Sequence, residues 1–152
     1  LSKDLIKGAA FVKFDADVVF DNEILEKLIE CEYENCLCID KSINLDAEEI
    51  KVIVDDQNRV VKANKTVNSQ DAVGESIGIE KISSGTAVLL FAELKIMMED
   101  GQNHQAYYEA AYERLIEKDV PFYALDISGL KWTEIDTKED FITAEKIYSQ
   151  NF

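Results

Sequence analysis

An α/β domain with a mixed, mainly parallel sheet, flanking helices and a β-hairpin insertion is the fold class this sequence predicts. Three observations predict it. Short apolar runs rich in β-branched residues alternate along the 152 residues with segments whose apolar residues recur at helical spacing. One pair of these runs flanks Asp55-Asp-Gln-Asn58, a turn signal that marks the hairpin. A single proline, six glycines and no Ser/Gly-rich stretch leave no linker, so residues 1–152 read as one domain.

The elements follow in order. Ala9-Ala-Phe-Val-Lys-Phe14 has the apolar density of a buried strand and stops at a cluster of aspartates. Asp21 or Asn22 caps a helix that carries Ile24, Leu25, Leu28 and Ile29 on one face. Cys36-Leu-Cys-Ile-Asp40 alternates as a strand, with both thiols on one side. Ile50–Val54 and Val60–Ala63 are the two arms of the hairpin, and Ile77–Ile82 is a further strand. Ser84 caps a helix through Leu89, Leu90, Leu94 and Met97, and a second helix covers residues 106–118. Pro121 precedes the strand Phe122–Asp126, and Thr137-Lys-Glu-Asp140 resembles a capping box that opens the last helix. The first strand is hydrophobic enough for the centre of a sheet, yet only eight residues precede it. It is expected to lack neighbours.

Charge narrows the functions. Sixteen basic residues against 31 acidic ones give −15 at pH 7, a field that repels nucleic-acid backbones and anionic membranes. No apolar run approaches the roughly 20 residues that span a bilayer. No signal segment opens the chain, so a soluble cytoplasmic domain is expected. Only Arg59 and Arg114 supply guanidinium groups, and no glycine-rich loop cradles phosphate. A phosphate-handling site in this composition depends on a metal ion. Cys31, Cys36 and Cys38 crowd together, but no second Cys/His cluster completes a zinc site, and their odd number fits a reducing compartment. His104, the only histidine, has no nucleophile pattern beside it, so a catalytic triad is not supported.

Four segments can carry chemistry, and each also has a plain structural use. Asp15-Ala-Asp17 follows a strand, where paired carboxylates flank a divalent cation or cap a loop. Trp132, Glu134 and Asp136 stand before the last helix. Trp132 then fills the core and Asp136 caps the helix, or Asp136 is a second metal carboxylate while Trp132 and Glu134 face a ligand. In Gln105-Ala-Tyr-Tyr-Glu109, tyrosines beside an acid suit a cationic headgroup, or pack as ordinary aromatics. Lys65 follows the hairpin and either touches a phosphate or only water, with Gly74-Glu-Ser-Ile-Gly78 soon after.

Taken in this order, Asp15–Asp21, Val52–Lys65, Gly74–Ile79, Tyr107–Glu109 and Gly129–Asp136 resemble the nucleotidyltransferases. The nearest resemblance is to the CTP:phosphocholine and 2-aminoethylphosphonate cytidylyltransferases. It implies a Rossmann-like nucleotidyltransferase fold over the whole chain, magnesium as cofactor, and Asp17 and Asp136 as its ligands with Asp15 in support. It also implies that Lys65 contacts phosphate, that Glu75 shapes the acceptor pocket, and that Trp132, Glu134, Tyr107 and Glu109 surround the headgroup. The implied reaction is attack of a phosphate or phosphonate oxygen on the α-phosphorus of CTP, with pyrophosphate leaving.

Two departures stand out. Ala16 replaces a glycine usual in the family, and the family's opening strand and glycine-rich nucleotide loop have no counterpart here. The expectation is therefore a partial nucleotidyltransferase domain, lacking its N-terminal nucleotide-binding half and inactive alone. Its partners are CTP and a phosphorylated headgroup if completed, and a second copy or the missing half at the open strand edge. The alternative is a non-catalytic ligand-binding or homo-oligomeric assembly module on the same fold.

Overall fold

The computed structural model describes residues 2–42, 45, 49–99 and 108–149. In chain order the elements are α1 (Ser2–Ile6), β1 (Phe11–Phe14), β2 (Val18–Phe20), α2 (Asn22–Glu30), β3 (Cys36–Asp40), β4 (Lys51–Val54) and β5 (Val60–Asn64). They continue with β6 (Gly74–Ile82), α3 (Ser84–Glu99), α4 (Glu109–Glu117), β7 (Tyr123–Asp126), β8 (Trp132–Glu134) and α5 (Lys138–Tyr148).

The main sheet is built on the nine-residue β6. Its order is β5-β4-β6-β3-β7, and β1 lies along β6 as a sixth strand. β3 covers one edge of β6, from Cys36 opposite Lys81 to Asp40 opposite Glu75. β4 and β1 share the other edge, at residues 74–75 and 79–82 respectively. Apart from β6, β1 pairs with no strand among the described residues. The strand expected at a sheet centre is a half-buried edge strand here.

The mixed α/β sheet and hairpin agree with the sequence, but strand direction does not. Only β3 and β7 run parallel; the β1–β6, β3–β6, β4–β5 and β4–β6 pairs are antiparallel. The cause is the path of the chain. The hairpin reverses direction once, and β6 then lies between β3 and β4, antiparallel to both, whereas β7 returns beside β3 in the same direction after α3 and α4.

Period-two alternation divides the core. Leu37 and Ile39 of β3 face a cluster with Val52, Ile82, Leu90, Leu115 and Phe122, under α3 and α4. Cys36 and Cys38 face the opposite cluster, with Ile24 and Leu28 of α2, Ile77, Ile79 and Ile127. Both thiols thus share one side, as the alternation predicts. Ile24 and Leu28 are fully buried, which contributes about 1.5–3 kcal/mol each.

The helix signals hold with small shifts, except that Asp21, at the N-cap position of α2, makes no side-chain cap bond. Thr137 and Asp140 form a full capping box at α5. At α3 the serine one residue earlier does the capping, because Thr86 N–H donates to Ser83 Oγ at 3.3 Å. The helix expected over 106–118 is α4, Glu109–Glu117, and residues 106 and 107 lie outside the described residues. Three elements had no sequence signal: α1 and the three-residue strands β2 and β8, which pair antiparallel as a separate ribbon. That ribbon positions the site.

Candidate functional site

The β2–β8 ladder explains how residues far apart in sequence meet. Val18 stands opposite Glu134 and Phe20 opposite Trp132. One step beyond the ladder, Ile135 N–H donates to Asp17 O at 2.9 Å. Asp17, at the end of the β1–β2 turn, is thereby fixed beside Glu134 and Asp136. One carboxylate oxygen from each of these three exposed residues lies within 4.8 Å of the others. Burial, then the charges of Asp136, Asp17 and Asp15, push the Glu134 carboxyl upward, while Lys65 pulls it down. Three carboxylate oxygens so placed are a group that could hold a hard, oxygen-preferring divalent cation.

The capping box gives the cap of α5 to Thr137 rather than Asp136. Asp140 Oδ2 accepts from the backbone N–H groups of Asp136 at 3.3 Å and Thr137 at 2.8 Å, and from Thr137 Oγ1 at 2.7 Å. Thr137 supplies the reciprocal contact, accepting from Asp140 N–H at 3.2 Å. The helix cap is therefore Thr137, and the Asp136 side chain is directed to the carboxylate cluster instead.

These three acids line a cavity of about 470 Å³, within the range of small-ligand sites. Asp15, Asp17, Lys65, Glu75, Glu109, Trp132, Glu134 and Asp136, all singled out from sequence, line it together. Tyr107 and His104 lie outside the described residues. Trp132 lines the cavity and also serves the core. Its ring packs against the second core cluster, and its indole N–H donates to Asp40 Oδ2 at 2.8 Å. Burial raises the Asp40 carboxyl, but donors from Ser42 and Trp132 together outweigh it and hold it below the usual range.

Asp15 lines the same cavity, beside the cluster rather than in it. Its carboxylate is not among the three clustered ones. It pairs with Lys13 at 2.6 Å and accepts from Tyr108 Oη at 2.9 Å. Its backbone N–H donates to Gly78 O at 2.9 Å, where Gly78 has φ +72°. Asp15 therefore ties the β1 end to α4 rather than joining the cluster.

Beneath it lies a buried polar group that sequence reasoning missed. Lys13 Nζ sits 3.5 Å from the Tyr108 ring centroid and 3.3 Å from Glu80 Oε2. Tyr108 Oη also lies 3.3 Å from Glu80 Oε1. A phenol has one proton to donate, and the nearer Asp15 receives it. Burial, with Asp15 and Glu109 nearby, pushes Glu80 up to about 7 against the pull of Lys13. Glu109 Oε2 is buried without a hydrogen-bond partner. Tyr108 did have a signal: it stands four residues before Tyr112, on the same helical face, and the rings meet edge-on at 5.7 Å.

The fold is that of nucleotide-transferring enzymes. An inositol-1-phosphate CTP transferase from T. maritima superposes with TM-score 0.67 at 20% identity, covering 91% of this chain and 54% of its own. A putative glucose-1-phosphate thymidylyltransferase from Bacillus anthracis, in complex with a sucrose, gives 0.70 at 12% identity, covering 99% and 58%. The CTP:phosphocholine cytidylyltransferase LicC from Streptococcus pneumoniae gives 0.67 at 18% identity, covering 90% and 56%. The chain thus spans a little over half the length of these structures. No family model and no curated protein matches the sequence. Among the described residues, no helix is long and apolar enough to cross a membrane.

Proposed function

We propose that this chain is the metal- and acceptor-binding side of a nucleotidyltransferase that moves CMP from CTP to a phosphorylated small headgroup, phosphocholine or 2-aminoethylphosphonate. The observation that carries this is the convergence of Asp17, Glu134 and Asp136 beside Trp132 in one cavity of the transferase fold. Asp17 and Asp136, with Glu134, hold magnesium; bound there, the ion supplies charge neutralisation and orientation of phosphate oxygens. Lys65 contacts phosphate, and Glu75 shapes the floor. Trp132 and Glu109, with Tyr108 beside them, receive the cationic headgroup. The buried, unpaired Glu109 Oε2 supports that assignment, since an amine relieves the cost of leaving it unsatisfied.

Seven carboxylates and one cation, Lys65, line the cavity among the described residues. A triphosphate needs more positive charge than that. Turnover of CTP therefore requires the rest of the transferase fold, while acceptor and metal binding do not.

Trp132 fluorescence tests this. Titration with phosphocholine and 2-aminoethylphosphonate is expected to give a saturable change that tightens with magnesium and weakens in Glu109→Gln. No response to either acceptor would refute the headgroup site. A response indifferent to magnesium would instead favour the non-catalytic ligand-binding module. That β1 has no strand neighbour but β6 among the described residues favours an assembly module as the second reading, and light scattering showing a monomer at high concentration would remove it.

A further inference from the structure

We propose that Cys31 and Cys36 are an oxidation site, a thiol pair that closes to an intrachain disulfide by exchange with a small disulfide compound. This stands on residues outside the cavity and does not depend on the proposed activity.

The two sulfurs are 2.9 Å apart, hydrogen-bonded to each other, and both face the Tyr33 carbonyl oxygen at 3.9 and 3.6 Å. The chain on either side is fixed. Cys31 ends α2, donates its N–H to Lys27 O at 3.1 Å, and accepts from Lys81 Nζ at 2.7 Å through its own carbonyl. Cys36 opens β3, paired with Lys81 and Tyr123. Between them, buried Asn35 donates to Pro121 O at 3.0 Å and accepts from Ser83 N–H at 2.9 Å. Tyr33 stacks on Tyr123 with ring centroids 4.2 Å apart. The intervening loop is thus pinned from both sides, and the thiols meet without a search. Bond formation asks the sulfurs to approach by about 0.9 Å more, to the usual ~2.0 Å.

Accessibility sets the order of events. Cys31 is partly exposed, whereas Cys36 and Cys38 are fully buried. Deprotonated Cys31 attacks one sulfur of the oxidant, forming a mixed disulfide and releasing one thiolate. Cys36, giving its proton to solvent or to that thiolate, attacks the Cys31 sulfur and expels the second thiol. Two protein thiols become one disulfide, and the oxidant disulfide becomes two thiols. Cys38 shares the buried face of β3 with Cys36 and stays reduced.

The test is native incubation of the chain with oxidised glutathione, followed by intact mass and non-reducing peptide mapping. The expected product has lost two hydrogens, carries no adduct, links Cys31 to Cys36 and leaves Cys38 free. Cys36→Ser should instead retain one glutathione on Cys31, and Cys38→Ser should cross-link as the parent does. A stable glutathione adduct on the parent chain, a cross-link to Cys38, or no reaction at all would overturn the proposal. The parent mapping stands even if a variant fails to fold.

Discussion

Gly78→Ala is the substitution with the most direct structural consequence. Gly78 has φ +72°, and an ideal Cβ there would lie 2.1 Å from Asp15 Oδ2. Two costs follow. A side chain in the left-handed region costs roughly 1–2 kcal/mol. The new methyl also expels the Asp15 carboxylate from its place between Lys13 and Tyr108. A hydrogen bond to a charged group contributes about 1.5–3 kcal/mol, but the Asp15 side chain is 32% exposed and water recovers part of it. About 1 kcal/mol of that is retained as loss, giving about 2–3 kcal/mol in all. Gly129→Ala is the control: φ there is +86°, with no atom within 4 Å of the added Cβ. It should cost only the backbone strain. Urea unfolding of both variants measures the difference. Equal destabilisation would refute the claim that Gly78 exists to admit Asp15.

Two further outcomes are expected. Glu80 is fully buried and raised from 4.5 to about 7. It binds its proton more tightly folded than unfolded, so the associated stability is full below pH 4.5 and is lost as pH rises through 7. The loss is about 3 kcal/mol, and Glu80→Gln should flatten that slope in urea unfolding at pH 5 and 8; an unchanged slope would show that Glu80 is not its source. Thr137→Ala removes the α5 cap and should lower stability by about 1 kcal/mol, read by thermal unfolding. No change would mean that Asp140 holds the turn alone.

Local patterns made much of the fold legible. The hairpin was written in Asp55–Asn58, the α5 start in Thr137 and Asp140, and the division of the core in the alternation of residues 36–39. Strand direction was not legible, because it depends on how β6 is threaded between β3 and β4 rather than on any run of residues. Gly74 fell outside the strand read over Ile77–Ile82, yet β6 begins there, and Gly78 within the strand makes room for Asp15. The candidate site was legible as residue types but not as geometry. β2 and β8 are three residues each, too short to show a period, and their pairing is what joins Asp17 to Glu134 and Asp136. Lys13 and Glu80 looked like alternating strand positions, since a buried ion pair leaves no periodic trace.

Manganese binding tests the central claim most directly. Electron paramagnetic resonance of free manganese, titrated with the parent chain, Asp17→Asn and Asp136→Asn, reports occupancy without needing turnover. Both aspartates are exposed, so neither change should unfold the chain. The account predicts one site on the parent chain, weakened about tenfold or more, or about 1.4 kcal/mol, by either substitution. A parent chain that binds no manganese, or variants that bind it equally well, would contradict it.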